Sequence, residues 1–131
     1  MLGSDGGTKG FATPFATLHA FNGWADRFLA TPKEGMQDMH ASLTVTVMGT
    51  QLFASYHDYK ADEKSLTAGP MLGKVIDYGT EWNFSISKKF GAVAYTAKYA
   101  MFENGDWAQK VGAVTLVSDT TKFWLQADWN F

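Results

Sequence analysis

From Asp38 to Phe131 the chain alternates apolar and polar side chains with a period of two, in five runs broken by glycine, lysine or long polar stretches. A period of two sends successive side chains to opposite faces of a β-strand. The last run, D-T-T-K-F-W-L-Q-A-D-W-N-F, is the clearest. Phe123, Leu125, Ala127, Trp129 and Phe131 form its apolar face, with Lys122, Gln126, Asp128 and Asn130 between them. In the first run Ala41, Leu43, Val45 and Val47 oppose His40, Ser42, Thr44 and Thr46. The second sets Leu52, Ala54 and Tyr56 against Ser55 and His57. The third sets Tyr78, Thr80, Trp82, Phe84 and Ile86 against Asp77, Glu81, Asn83, Ser85 and Ser87. The fourth sets Val93, Tyr95, Ala97, Tyr99 and Met101 against Ala94, Thr96, Lys98 and Ala100. The pattern predicts five antiparallel strands near 38–49, 50–61, 76–89, 91–103 and 119–131, paired in sequence order.

Turn chemistry suggests the registers. A hairpin centred on Gly49-Thr50 pairs Val47 with Leu52, Val45 with Ala54 and Leu43 with Tyr56. One centred on Lys89-Phe90 pairs Phe84 with Tyr95 and Trp82 with Ala97, and sets Glu81 opposite Lys98 as a cross-strand charge pair. Pairing Met101 with Thr121 joins the last two strands, with Lys98 beside Trp124 and Lys122 beside Ala100. Residues 1–37 are expected to be a long loop, with a short helical turn capped by Asn22, running through Phe28 and ended by Pro32.

This plan separates the connections. Two short turns and the C-terminus lie at one end. The stretches 2–37, 61–75 and 104–120 lie at the other. Outer-membrane barrels have short periplasmic turns, long extracellular loops, and strands alternating apolar-out and polar-in between aromatic girdles. The expected fold class is therefore all-β, an antiparallel up-and-down meander forming the C-terminal strands of a transmembrane β-barrel in the cell outer membrane. Residues 1–37 would be an extracellular loop segment and 38–131 five barrel strands. Five strands are too few to close a barrel, since the smallest bacterial ones have about eight. The chain is thus expected to be part of a larger barrel or to pair with other chains. Met1–Gly10 lacks the charged and apolar regions of a signal peptide, so an exported chain numbered this way would be mature or incomplete.

Composition narrows the classes. The 131 residues are 46% hydrophobic and 15% aromatic but only 18% charged, and no apolar run approaches the ~20 residues of a membrane helix. A net charge of −2 leaves no basic patch for nucleic acid. The absence of cysteine excludes disulfides and thiolate metal sites.

The runs F-N-G-W-A-D-R-F-L-A-T-P (21–32), G-M-Q-D-M (35–39), L-F-A-S-Y-H-D-Y-K-A-D (52–62), D-Y-G-T-E-W (77–82) and T-T-K-F-W-L-Q (120–126) together resemble the C-terminal portion of the alginate-export family of outer-membrane porins. The resemblance covers most of the chain from Phe11 onward. It implies a monomeric barrel of about eighteen strands conducting an anionic polysaccharide or small solutes. A closing strand that ends on Phe131 also resembles the signal read by barrel-assembly machinery. The implied partners are that machinery, the lipid bilayer and an anionic oligosaccharide or small solute.

No catalytic constellation emerges, no cofactor is implied, and the chain does not read as an enzyme. His40 and His57 fall on the wet face near the long-loop ends of neighbouring strands, but no third ligand has a matching spacing, so solvated histidines are expected rather than a metal site. Asp58, Asp62 and Glu63 lack the spacing of a calcium loop. Asn104-Gly105-Asp106 reads as a turn. The functional lead is the wet face. Glu81, Lys98, Lys122, Trp124, Gln126 and Asp128 are the expected pore-lining, substrate-contacting residues, with two lysines beside an indole to hold a carboxylate-bearing sugar. The competing reading is a soluble or secreted β-sheet carbohydrate-binding module with its aromatics as a sugar platform. The discriminator is whether Tyr78, Trp82, Phe84, Tyr95, Tyr99, Phe123 and Trp129 share one continuous outer face.

Overall fold

A computed structural model describes residues 2–11, 23–66, 72–105 and 119–129. Five strands form one sheet: β1 (Gln37–Val47), β2 (Thr50–Lys60), β3 (Asp77–Phe90), β4 (Val93–Asn104) and β5 (Thr120–Trp129). The order is β1-β2-β3-β4-β5, and every neighbour is antiparallel. The fold is an all-β antiparallel meander, as the alternation predicts. Its two tight turns share one end of the sheet and its long connections the other. His19, Asn22, Asp106, Asn130 and Phe131 lie outside the described residues.

The hairpin registers differ from the expected ones. β1 and β2 meet at Met48-Gly49, so Val45 faces Leu52, Leu43 faces Ala54 and Ala41 faces Tyr56. Met48 and Gly49 have φ of 48° and 71°. Two positive φ values in a two-residue loop make the turn type I′, whose twist matches that of the strands. Glycine takes its second central position, not the first. β3 and β4 meet at Gly91-Ala92, with Phe84 facing Tyr99 and Trp82 facing Met101. Gly91, at φ 60°, begins that turn as a type II′ turn requires. The shift separates the expected Glu81–Lys98 pair: Glu81 faces Phe102 and Lys98 faces Ser85. The β4–β5 register is the expected one, with Met101 opposite Thr121 and Lys98 opposite Trp124. At its base Asn104 donates its backbone N–H and side-chain amide to Asp119 Oδ1, at 2.9 and 3.1 Å. These bonds hold the Asp119 carboxyl below the usual carboxylate range.

Tyr78 is a further departure. β2 and β3 lose step between Tyr59 and Lys60, where Tyr59 pairs with Gly79 and Lys60 with Asp77. Tyr78 is the extra residue of this bulge, and Gly79 beside it has φ 121°. The bulge turns Tyr78 off the apolar face and into the core, where its hydroxyl donates to the Gly35 carbonyl. The expected helical turn is also absent: residues 23–31 contain no helix, and Asp26 sits at φ 56°.

The core lies on the face that alternation marks as polar. Ala25, Phe28 and Met36 of the N-terminal segment join Tyr59, Ala61, Ile76, Tyr78, Ala100 and Phe102 there. Phe28 packs its ring at 4.8 Å from Tyr59, 5.7 Å from Tyr78 and 5.8 Å from Phe102. The apolar face is uncovered: Leu43 is 65% exposed, Leu125 76% and Trp129 71%.

Candidate functional site

Four rows of side chains cross the inner face, and the N-terminal segment lies over three of them. The first row runs Thr44, Phe53, Ser85, Lys98, Trp124. Trp24 stacks on Phe53 with ring centroids 5.4 Å apart, and Lys98 Nζ lies 5.0 Å from the Trp24 ring centroid. An ammonium over an indole face is attracted by the ring quadrupole. The second row runs Ser42, Ser55, Asn83, Ala100, Lys122. Lys122 Nζ reaches Asp26 Oδ2 at 2.8 Å, both side chains being partly exposed. The third row runs His40, His57, Glu81, Phe102, Thr120. Glu81 is 0% exposed, and its carboxylate accepts the Ala25 backbone N–H at 3.0 Å.

Trp24, Ala25 and Asp26 thus engage Lys98, Glu81 and Lys122 in turn, and Phe28 anchors the strap in the core. Arg27 places its guanidinium 5.4 Å from the Phe102 ring centroid. The G-W-A-D-R-F run at 23–28 therefore covers part of the polar face of the sheet. Alternation places Lys98 and Lys122 on one face but not their partners, because strand periodicity carries no information about a loop folding back across a sheet.

The expected site residues fall into two groups. Glu81, Lys98, Lys122 and Trp124 come together beneath or beside the strap, and Trp124 packs against the core cluster. Gln126 and Asp128 lie toward the short-turn end, where the Gln126 amide donates to the Asp128 carboxylate at 2.9 Å. All six share the inner face.

One cluster was missed. Asp38 stands beside His40 and His57, and the three can offer ligand atoms all within 4.8 Å of one another. The signal was present: D-M-H spaces Asp38 and His40 two apart, which on a strand means the same face.

The outer face carries Leu43, Val45, Leu52, Phe84, Ile86, Tyr95, Tyr99, Phe123, Leu125 and Trp129, all exposed. Two adjacent rows line a shallow apolar depression there, one running from Leu43 of β1 through Phe84 of β3 to Phe123 of β5 and the other through Val45, Leu52, Ile86 and Ala97. Among the described residues no helix is long and apolar enough to cross a membrane, which leaves open a crossing by strands. Set against known proteins, the chain matches no family model, and no curated protein and no solved structure was found that matches it.

Proposed function

We propose that the chain forms part of an outer-membrane β-barrel that conducts small or anionic solutes passively. One observation carries this reading: the sheet packs its core against its polar face and leaves its apolar face open. In water the hydrophobic effect drives the opposite arrangement, and contiguous exposed apolar patches beyond a few hundred Å² mark interaction surfaces. Here the apolar face runs across all five strands, with Trp82, Phe84, Tyr95, Tyr99, Phe123 and Trp129 upon it. A bilayer satisfies such a face without further protein. The segregated long and short connections fit the same topology.

A sugar platform on a soluble module would need polar partners among its rings to hold hydroxyls. The neighbours here are Leu43, Val45, Leu52, Ile86 and Leu125. The inner face has the polar side chains, with Lys98 and Lys122 as its cationic positions beside Trp24, Trp124 and Asp26. In this reading the strap narrows the passage, the lysines attract anionic solute, and the indoles offer flat faces to sugar rings. The resemblance to alginate-export porins points to a uronate-bearing oligosaccharide as that solute. The edges β1 and β5 need partners in lipid, where unpaired backbone groups are not tolerated. Further strands, from more polypeptide or from other copies, would close the wall.

The test is to refold the chain into phosphatidylcholine vesicles containing brominated lipid. Quenching of tryptophan fluorescence that falls when Trp82 and Trp129 are replaced by Tyr, and persists when Trp24 and Trp124 are, supports a lipid-facing outer surface. A folded chain that stays soluble and leaves the vesicles untouched overturns the proposal.

A further inference from the structure

We infer that Asp38, His40 and His57 form a binding site for one divalent transition-metal ion of the Zn²⁺ or Cu²⁺ class, clamping β1 to β2 at the long-loop end. The inference rests on side-chain geometry and is independent of the membrane reading. His40 and His57 are directly opposite in the β1–β2 register, and their rings stack with centroids 5.2 Å apart. His57 Nδ1 lies 3.0 Å and His40 Nδ1 3.8 Å from the same oxygen, Asp38 Oδ2. Zinc bonds to imidazole and carboxylate measure about 2.0–2.2 Å, so ligand atoms around a tetrahedral ion stand about 3.4 Å apart. The observed separations bracket that value, and small rotations of His40, whose side chain is 58% exposed, complete the fit.

The support around His57 is that of a ligand. Metal-bound histidines hold the second ring nitrogen in a hydrogen bond that fixes the tautomer. His57 Nε2 is 3.3 Å from Ser55 Oγ, which also accepts from Asn83 Nδ2 at 3.3 Å. Without an ion, His57 Nδ1–H donates to the Asp38 carboxylate at 3.0 Å; a bound ion would take that proton's place, with Nε2–H donating to Ser55 Oγ. Tyr59 also stacks on the His57 ring, at 5.5 Å with an interplanar angle of 15°, helping to hold the ring in place. Glu81, opposite His57 in the next register, adds a nearby carboxylate. Two imidazoles with one carboxylate suit Zn²⁺ or Cu²⁺ and leave positions for water. Calcium and magnesium, which take oxygen ligands, are not favoured. A bound ion would also tie down β1, whose residues apart from Asp38 are exposed throughout and which pairs with β2 alone among the described strands.

The experiment titrates the detergent-folded chain with ZnCl₂ by calorimetry and with CuSO₄ by electron paramagnetic resonance, checking strand content of each variant by circular dichroism. One ion per chain is expected, released by EDTA, with hyperfine splitting from two nitrogens. His40→Ala removes an exposed side chain and leaves the core intact. It should weaken binding at least tenfold and reduce the spectrum to one nitrogen. Asp38→Asn should weaken binding similarly, and His19→Ala should leave it unchanged. Because the ion must compete with protons for both imidazoles, affinity should fall as the pH is lowered. Failure of the folded chain to bind either ion overturns the site. Binding that His40→Ala and Asp38→Asn leave unaltered overturns it as well.

Discussion

Phe28 shows how much one residue of the N-terminal segment holds. Its ring touches those of Tyr59, Tyr78 and Phe102, so three strands meet on it. Removing a buried phenylalanine ring costs about 3–5 kcal/mol in a typical core. Here the loss should fall mainly on the attachment of residues 23–28, since the sheet keeps its backbone ladder. Phe28→Ala is therefore expected to speed trypsin cleavage after Arg27 by at least tenfold while strand circular dichroism stays unchanged. An unchanged cleavage rate would mean that Asp26–Lys122 and Ala25–Glu81 hold the strap unaided. At the same scale, Glu81 was legible as a wet-face residue. Its complete burial was not, because the Ala25 N–H that meets it comes from 56 residues away.

The elements were largely legible in the alternation, and the errors have a common form. Both hairpins slipped by an even number of residues, so every partner changed while every face was kept. Positive φ is cheap at glycine, and the turns therefore formed where glycine could occupy a position the turn type demands, at Met48-Gly49 and Gly91-Ala92. Only Tyr78, with Asp77 before it, changed face, through a bulge that pure alternation cannot signal. The faces can be tested by charge. Phe84 points outward and is 42% exposed, whereas Gln126 points inward and is exposed to water. Phe84→Arg should oppose insertion into vesicles by about 2–4 kcal/mol, and Gln126→Arg by close to nothing. Urea titration of the vesicle-folded chain measures both. Equal effects would reverse the assignment of faces. Asn83 is unsuitable as the inward comparison, because it is 1% exposed beneath the strap and a charge there fails for reasons unrelated to lipid.

At the scale of the whole molecule, the sheet carries Lys98 and Lys122 on one face and a continuous apolar surface on the other. If Lys98 and Lys122 set the field inside a conducting barrel, Lys98→Gln/Lys122→Gln should abolish preference for anions in planar bilayers and weaken block by uronate oligosaccharides at least several-fold. Glutamine serves better than glutamate, since a carboxylate at 122 would repel Asp26 and dislodge the strap. An unchanged reversal potential with unchanged block would leave the lysines a scaffolding role, as partners of Trp24 and Asp26 only. The effect should shrink with added salt, because attraction at the solvated wall is screened over about 10 Å at 0.1 M.

Strand number, order, antiparallel sense and the sidedness of nearly every strand residue follow from the sequence by itself, because a strand's geometry makes face a function of parity alone. The β4–β5 register was legible for the same reason, once aligned ends were required. Hairpin partners, the inward turn of Tyr78, the strap at 23–28 and the meeting of Asp38 with both histidines were decided by the tertiary structure. Each depends on where the backbone adopts positive φ, or on which distant segment displaces water from the inner face. Periodicity along the chain encodes neither.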